Sequence, residues 1–303
     1  MRLRPYREDD FEPLLDLFNR HQLAAFGEAD ATADEFRTWL TTPYVTVADD
    51  IRVLEDDGRI VGYADVDPTR EKPPQWWCDV KLDPDVDAQE VLPLLVGWLD
   101  ERAAAQGGRL RVWSSDTDAR VTDAFRALRF EPIRHSFRME IDLDGETRPP
   151  AWPDGIETRT VRDGEHERVY DAVRDVWQDT NDPMDETFAE WAHWMMRQES
   201  FDPELWFLAV AGDELAGFSL CSRSTTDPDA GYVANLGVLR PWRRQGLGEA
   251  LLLHSFEAFR RRGWTRGTLG VDASSKTGAT RLYERVGMSV YRDTVFLERP
   301  VQG

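Results

Sequence analysis

The stretch Tyr232–Trp264, YVANLGVLRPWRRQGLGEALLLHSFEAFRRRGW, constrains the fold more than any other part of the chain. Its opening, Tyr232–Leu239, is mostly apolar, with β-branched or aromatic residues at alternate places, and predicts a strand. Its later part carries Ala250, Leu251, Leu253, Phe256 and Phe259 at helical spacing and predicts an amphipathic helix. Gly246 and Gly248 stand between the two. A helix that begins on glycines presents unpaired N–H groups and the positive end of its dipole, and the missing Cβ atoms let an anion come close. Such an end can hold a pyrophosphate without side-chain charge. Taken alone, a short Gly-x-Gly motif fits equally well a helix that merely starts on glycines.

The neighbouring residues narrow that choice. Arg243-Arg244-Gln245-Gly246-Leu247-Gly248 matches an Arg/Gln-x-x-Gly-x-Gly/Ala signature, and in this the chain resembles the GNAT superfamily of N-acetyltransferases. Downstream, VDASSKTGATRLYERVGM (Val271–Met288) resembles the superfamily segment that often reads Val-Asp-Ala-x-Asn-Pro-Thr-Gly-Ala-x-Arg-Leu-Tyr-Glu-x-x-Gly-Phe. The chain departs from it at Ser275 and Lys276, where Asn and Pro are usual, and at Met288 in place of Phe. Ser275 keeps hydrogen-bonding capacity but lacks the separate donor and acceptor ends of an amide.

At 303 residues the chain has room for two ordinary domains. With 41% hydrophobic and 31% charged residues it is globular. A net charge of −20 argues against a nucleic-acid partner and favours cationic or neutral ligands; it also fits a salt-adapted protein. No apolar run approaches the ~20 residues needed to span a bilayer, and no apolar segment backs the basic residues of MRLRPYREDDFEPLL, so no membrane partner and no signal peptide are expected. Cys78 and Cys221 fall in separate strand-like stretches, as expected of reduced thiols in a cytoplasmic protein, and no Cys/His spacing suggests a metal.

Taken in order, the first half predicts a strand at Arg2–Pro5 and a helix with Phe11, Leu14, Leu15, Leu17 and Phe18 on its apolar face, capped by Asp9 or Asp10. A helix at Ala33–Leu40 follows. Strands are expected at Ile51–Leu54, Ile60–Val66 and Trp76–Leu82, the first two joined by a turn at Asp57-Gly58. A helix at Ala88–Ala105, a strand at Leu110–Trp113, a helix at Arg120–Leu128 and a strand at Phe137–Ile141 complete the half. The second half repeats the pattern from Ile156, after a Pro-, Gly- and charge-rich linker, Asp144–Gly155. Its second helix is expected from about Asp182 to Gln198.

The order of elements resembles two tandem acyl-CoA N-acyltransferase domains of the α/β (α+β) class, each a mixed, mostly antiparallel sheet flanked by helices. The arrangement is similar to that of the tandem-domain type to which mycothiol synthase belongs. The expected division is a degenerate domain at 1–143, a linker at 144–155 and a catalytic domain at 156–303. The first domain lacks the glycine signature and carries Asp83, Asp85 and Asp87 where a pyrophosphate would sit; carboxylates there repel phosphate. It also has Phe125 where the tyrosine of RLYERVGM would be, so its expected role is structural or that of a wall of the substrate cleft.

The resemblance implies acetyl-CoA as co-substrate and direct attack by a primary amine in a ternary complex, with no metal. By the same resemblance Gly237, Val238 and Leu239 pair with the pantetheine arm. The N–H groups of Arg244, Gln245, Gly246, Leu247, Gly248 and Glu249 then hold the pyrophosphate, with charge added by Arg243 and Arg244, and Ser275 makes a further cofactor contact. Tyr283 is the candidate general acid for the thiolate; its structural alternative is a packed tyrosine with one hydrogen bond. The general base is not assigned: Asn235 stands where an acidic residue is frequent, and Asp227, Asp229, Tyr232 or a water chain remain open. Asp182, Asp185 and Glu186 fit either a cationic acceptor or a helix start. Trp191 and Trp194 fit either the acceptor site or the core, and His254 reads as structural. The charge balance favours a small cationic amine as acceptor. Alternatives are a protein N-terminus or lysine, a thiol-glycoside amine, and a non-catalytic acetyl-CoA-binding module.

Overall fold

The computed structural model describes residues 1–145 and 148–302. Glu146 and Thr147 of the expected linker, and Gly303 at the end of the expected second domain, lie outside the described residues. The chain forms two units, one of Met1–Ser136 with Arg292–Gly303, the other of Phe137–Tyr291.

The first part of the chain gives β1 (Arg2–Pro5), α1 (Phe11–Phe26), α2 (Ala33–Leu40), α3 (Val47–Asp50), β2 (Ile51–Asp56), β3 (Arg59–Asp65), β4 (Asp67–Pro68), β5 (Gln75–Trp77) and β6 (Val80–Leu82). It continues with α4 (Ala88–Ala103), β7 (Arg109–Ser115), α5 (Ala119–Ala127) and β8 (Glu131–Asp142). The second part gives β9 (Glu157–Thr160), α6 (His166–Trp177), α7 (Phe188–Met196), β10 (Trp206–Ala211), β11 (Glu214–Arg223) and β12 (Ala230–Val238). It ends with α8 (Leu247–Arg261), β13 (Arg266–Asp272), α9 (Ala279–Arg285) and β14 (Ser289–Pro300). β8 and β14 are each shared: β8 beyond Ser136 belongs to the second unit, and β14 from Arg292 to the first.

In the first unit β1, β2, β3 and β6 form an antiparallel set in that order. β4, β5, β7 and the Thr294–Pro300 part of β14 form another, in which only β5 and β7 run parallel. Asp57 and Gly58 make the β2–β3 turn, both at positive φ, 46° and 79°. The expected single strand Trp76–Leu82 is broken at Cys78 and Asp79 into β5 and β6, which pair with different neighbours. Side-chain competition explains the break. Asp79 N–H donates to Asp65 Oδ1 at 3.1 Å instead of to a strand carbonyl, and Lys81 Nζ holds the Asp79 carboxylate at 2.6 Å. Asp10 precedes α1, but its carboxylate does not cap that helix: it binds Arg4 at 2.7 Å and accepts the Arg7 N–H, which caps the short 3-10 turn Glu8–Asp10.

The second unit orders β9, β10, β11, β12 and β13 side by side, antiparallel except for the parallel pair β12–β13. One face packs on α8 and α9 through Leu252, Phe256, Phe259, Tyr283 and Met288. The other packs on α6 and α7 through Val169, Tyr170, Val173, Trp191 and Phe218. α7 begins later than expected, at Phe188, because Thr187 and Glu190 form a reciprocal capping box there. Pro183 disfavours helix at the residue before it, so Asp182, Asp185 and Glu186 lie ahead of the helix. Both cysteines are buried free thiols, and no helix among the described residues is long and apolar enough to cross a membrane.

Candidate active site

The site begins where two parallel strands part. β12 and β13 pair from Ala230↔Arg266 to Val233↔Leu269, and then both continue without pairing to each other. At the same level β12 carries a bulge. Asn235 pairs with Leu220 and Val233 with Cys221, which leaves Ala234 as the extra residue. A bulge shifts side-chain parity by one, and the glycines report the change. A Cβ on Gly231 would run into the Phe259 ring of α8, whereas one on Gly237 would meet Phe218 on the α6–α7 side. Tyr232, Asn235 and Gly237 therefore share one face. Among the described residues, the edge of β12 from Ala234 to Val238 that faces away from β11 has no strand partner, as an extended ligand arm requires, although the Val238 carbonyl is taken by the Arg243 side chain.

After β12 a 3-10 turn, Arg240–Trp242, leads into the glycine turn. Arg244 and Gly246 take left-handed conformations, φ 61° and 83°, and Gly246 caps α8. A left-handed cap without a Cβ suits glycine, and the N–H groups of Leu247, Gly248 and Glu249 then start the helix without intrahelical acceptors. A Cβ on Gly248 would be in ordinary contact with Leu282 at 3.4 Å and Val238 at 3.5 Å, so this residue sits where α8, α9 and the end of β12 meet. Leu247 is buried against Leu251, Ala209 and Ala216 and anchors the turn.

The charged side chains of the turn are mostly engaged. Arg243 donates from Nε to the Val238 carbonyl at 2.9 Å and pairs with Asp179 at 2.7 Å. Arg240 reaches Asp175 at 2.5 Å and Asp179 at 2.8 Å. Hydrogen bonds from Arg240, then Arg243, hold the Asp179 carboxyl below its ordinary range. Gln245 donates to the Pro241 carbonyl at 3.4 Å, and Glu249 pairs with Arg148 and, at 3.7 Å, with Arg285. Arg244 is exposed. Ser275 is half-buried in the loop before α9, 2.9 Å from Thr277 Oγ1.

Tyr283 is 7% exposed, in a cluster with Val233 and Leu269 from the two strands where they part and with Val271 beyond. Burial pushes its phenol up to about 12, with a smaller push from Tyr232. It stays protonated throughout the range where a thiolate needs a proton. The Tyr232 hydroxyl lies above Gly270, 3.7 Å from where a Cβ would stand, and the Arg138 guanidinium sits 5.2 Å over its ring. Asn235 accepts from Trp177 Nε1 at 3.0 Å and contacts Met195 sulfur at 3.6 Å.

Other candidates stand elsewhere. Trp191 is 3% exposed, among the rings of Tyr170, Phe188 and Trp206. Its place is the core. Asp182 lies in the α6–α7 segment, where its carbonyl accepts from Thr180 Oγ1 at 3.0 Å. Asp227 pairs with Arg266, and Asp229 gives its carbonyl to the Thr265 and Arg266 N–H groups. Both precede Ala230, which is about 23 Å from Gly237 along a strand rising ~3.3 Å per residue. That is too far for a base acting at the end of β12. His254 packs edge-on to Trp152 and Phe207. Trp177, Asn181, Asp272 and Arg138 were not singled out by the sequence, since what marks them is contact with segments distant in the chain.

In the first unit the corresponding place is filled. Asp83, directly after β6, is fully buried and paired with Arg20 and Arg59. Burial raises its carboxyl, but the arginines outweigh this and hold it low. His21 of α1 sits against the main chain of Leu82, with Nδ1 3.0 Å from its carbonyl and 3.2 Å from its nitrogen. Burial, then Lys81, push that imidazole down to about 3, so it is neutral.

The comparisons agree with this geometry. The model of the Acetyltransferase (GNAT) family matches residues 167–288. A mycothiol acetyltransferase of Frankia casuarinae is 30% identical over 270 residues, covering 81% of this chain and 74% of the relative. A solved GCN5-related N-acetyltransferase from Sphaerobacter thermophilus is 29% identical with a TM-score of 0.78, covering 100% of this chain and 96% of the other. A tandem GNAT protein from the clavulanic acid biosynthesis pathway, 16% identical, has the same fold at a TM-score of 0.79, with 100% and 99% covered. The chain is an acyltransferase built of two tandem domains, and it belongs to the GNAT acetyltransferase family.

Proposed function

We propose that the second unit transfers an acetyl group from acetyl-CoA to the primary amine of a small molecule, by direct attack in a ternary complex. The observation that carries this reading is the sequence of features along one strand. The free edge of β12 is followed, after one 3-10 turn, by a helix start capped by Gly246, with Tyr283 packed where the strands part. In this reading the pantetheine arm lies along the main chain of Gly237, Val238 and Leu239, and the Val238 N–H points at the thioester oxygen, since the Leu239 N–H already donates to the Ala216 carbonyl and the Val238 carbonyl accepts from Arg243. The N–H groups from Arg244 to Glu249 hold the pyrophosphate. The Tyr283 hydroxyl donates its proton to the coenzyme sulfur as the C–S bond breaks. Arg243, tied to Asp179 and Val238, shapes the turn.

The acceptor is the finer part of the proposal. The related mycothiol acetyltransferase is named for a small molecule, which favours a small amine over a protein. Asp182, Asp185 and Glu186 place carboxylates in the segment next to Asn235, and the whole chain carries a charge of −20; both favour a cationic amine. The amine's proton leaves through solvent or a carboxylate reached by water. The test is thiol release from acetyl-CoA with a panel of amines that includes polyamines, thiol-glycoside amines and N-terminal peptides. Turnover with small amines supports the reading. Turnover with peptides alone overturns the acceptor class, and binding without turnover on any amine favours a coenzyme-binding module.

A further inference from the structure

The segment between α6 and α7 is tied to both strands where they part. Trp177, the last residue of α6, donates to Asn235 at 3.0 Å, on β12 beyond its last pair with β13. Shortly after it, Asn181 donates from Nδ2 to Asp272 Oδ2 at 2.9 Å and to Ser274 Oγ at 3.2 Å, at the end of β13. Lys276 Nζ reaches the Thr180 carbonyl at 3.4 Å. The turn is also braced internally, since Thr180 Oγ1 donates to the Trp177 carbonyl at 2.7 Å and to the Asp182 carbonyl at 3.0 Å. Both oxygens of Asp272 are used, because Oδ1 accepts the Ser274 N–H and hydroxyl, each at 2.7 Å. At the root of the turn Asp175 and Asp179 grip Arg240 and Arg243.

These contacts lay a short strap from β12 to β13 across their unpaired ends. It lies on the face that carries Tyr232, Asn235 and Gly237, and α8 covers the opposite face through Phe256 and Phe259. We propose that the strap 178–182, latched by the Asn181–Asp272 hydrogen bond, is an acceptor gate. It keeps water from the thioester carbon. Asn181 and Asp272 are then positioning residues. The proposal rests on the reading above, in which acetyl-CoA lies along the free edge of β12. A merely structural clip would hold the loop without changing what reaches the thioester.

A leak of water can be followed without knowing the acceptor. Water attacks the carbonyl carbon of acetyl-CoA, the C–S bond breaks, acetate forms, and the sulfur takes up a proton as free thiol. Thiol release from acetyl-CoA alone is measured for the wild type, Asn181→Ala, Asn181→Asp and the exchanged pair Asn181→Asp with Asp272→Asn, with calorimetric affinity for acetyl-CoA alongside. Both single variants are expected to raise hydrolysis at least fivefold while affinity stays within twofold. The exchanged pair restores a donor on one side and an acceptor on the other, so hydrolysis should return towards the wild-type rate. Retained binding with unchanged hydrolysis in both single variants overturns the gate alone, as does a leak that the exchanged pair leaves in place. Absence of acetyl-CoA binding by the wild type overturns the transferase reading and the gate together.

Discussion

Tyr283 carries the proton its proposed step needs. Burial pushes its phenol up to about 12, so it is protonated at neutral pH, and proton transfer to the thiolate must be driven by the charge that develops on sulfur as the C–S bond breaks. Removing the hydroxyl in Tyr283→Phe is predicted to lower kcat by about a hundredfold, the lower range for general-acid catalysis, while calorimetric affinity for acetyl-CoA stays unchanged. An unchanged kcat would remove Tyr283 from the mechanism. The same shift has a consequence for stability. The folded pKa lies above the ordinary 10.0, so the contribution is complete below pH 10 and is lost as pH rises towards 12. Tyr283→Phe has no such proton to lose. Urea unfolding at pH 9 and pH 11 should therefore show a smaller alkaline loss in the variant than in the wild type.

Among the elements, β12 carries the design of the site, and its glycines set how closely α8 approaches. A Cβ on Gly231 would stand 2.4 Å from the Phe259 ring, which is itself fully buried. Gly231→Ala must push α8 outward or tilt that ring, at a cost of about 1–3 kcal/mol, measurable as a lower urea midpoint. A midpoint unchanged within error would mean that α8 sits less tightly than described. The elements also show what could be read in advance. Gly246, Gly248 and the segment around Tyr283 are local signals, so the strand, the turn and both helices were legible in order. The break at Cys78 and Asp79 was not, because it depends on the Asp65 carboxylate of another strand. Nor was the bulge at Ala234, which exists only in the pairing with β11. Spacing alone leaves Trp191 and Trp194 open between the acceptor site and the core, and only the fold shows that Trp191 faces Tyr170 and Trp206 in the core. The strap leaves no local signal for the same reason: Asn181 meets its partner only across the fold.

At the scale of the whole molecule, 57 acidic residues against 37 basic ones make self-repulsion a standing cost to the compact state. Salt screens it, so Tm is predicted to rise by several degrees between 0.05 and 1 M NaCl, as read by calorimetric melting. A falling Tm would show that the surface ion pairs outweigh the excess charge. The two units also differ in what they can bind. The second presents a free strand edge and a glycine-capped helix. The first places Asp83 between Arg20 and Arg59, and His21 against Leu82, at the corresponding positions. One coenzyme per chain is the outcome this asymmetry predicts. The most direct test is calorimetric titration of acetyl-CoA into the wild type and into Gly246→Asp, which puts a carboxylate and a strained φ at the phosphate end of α8. A stoichiometry of one, abolished by the substitution, is the predicted result. Two sites per chain, or binding that survives Gly246→Asp, would contradict a single coenzyme site at the start of α8.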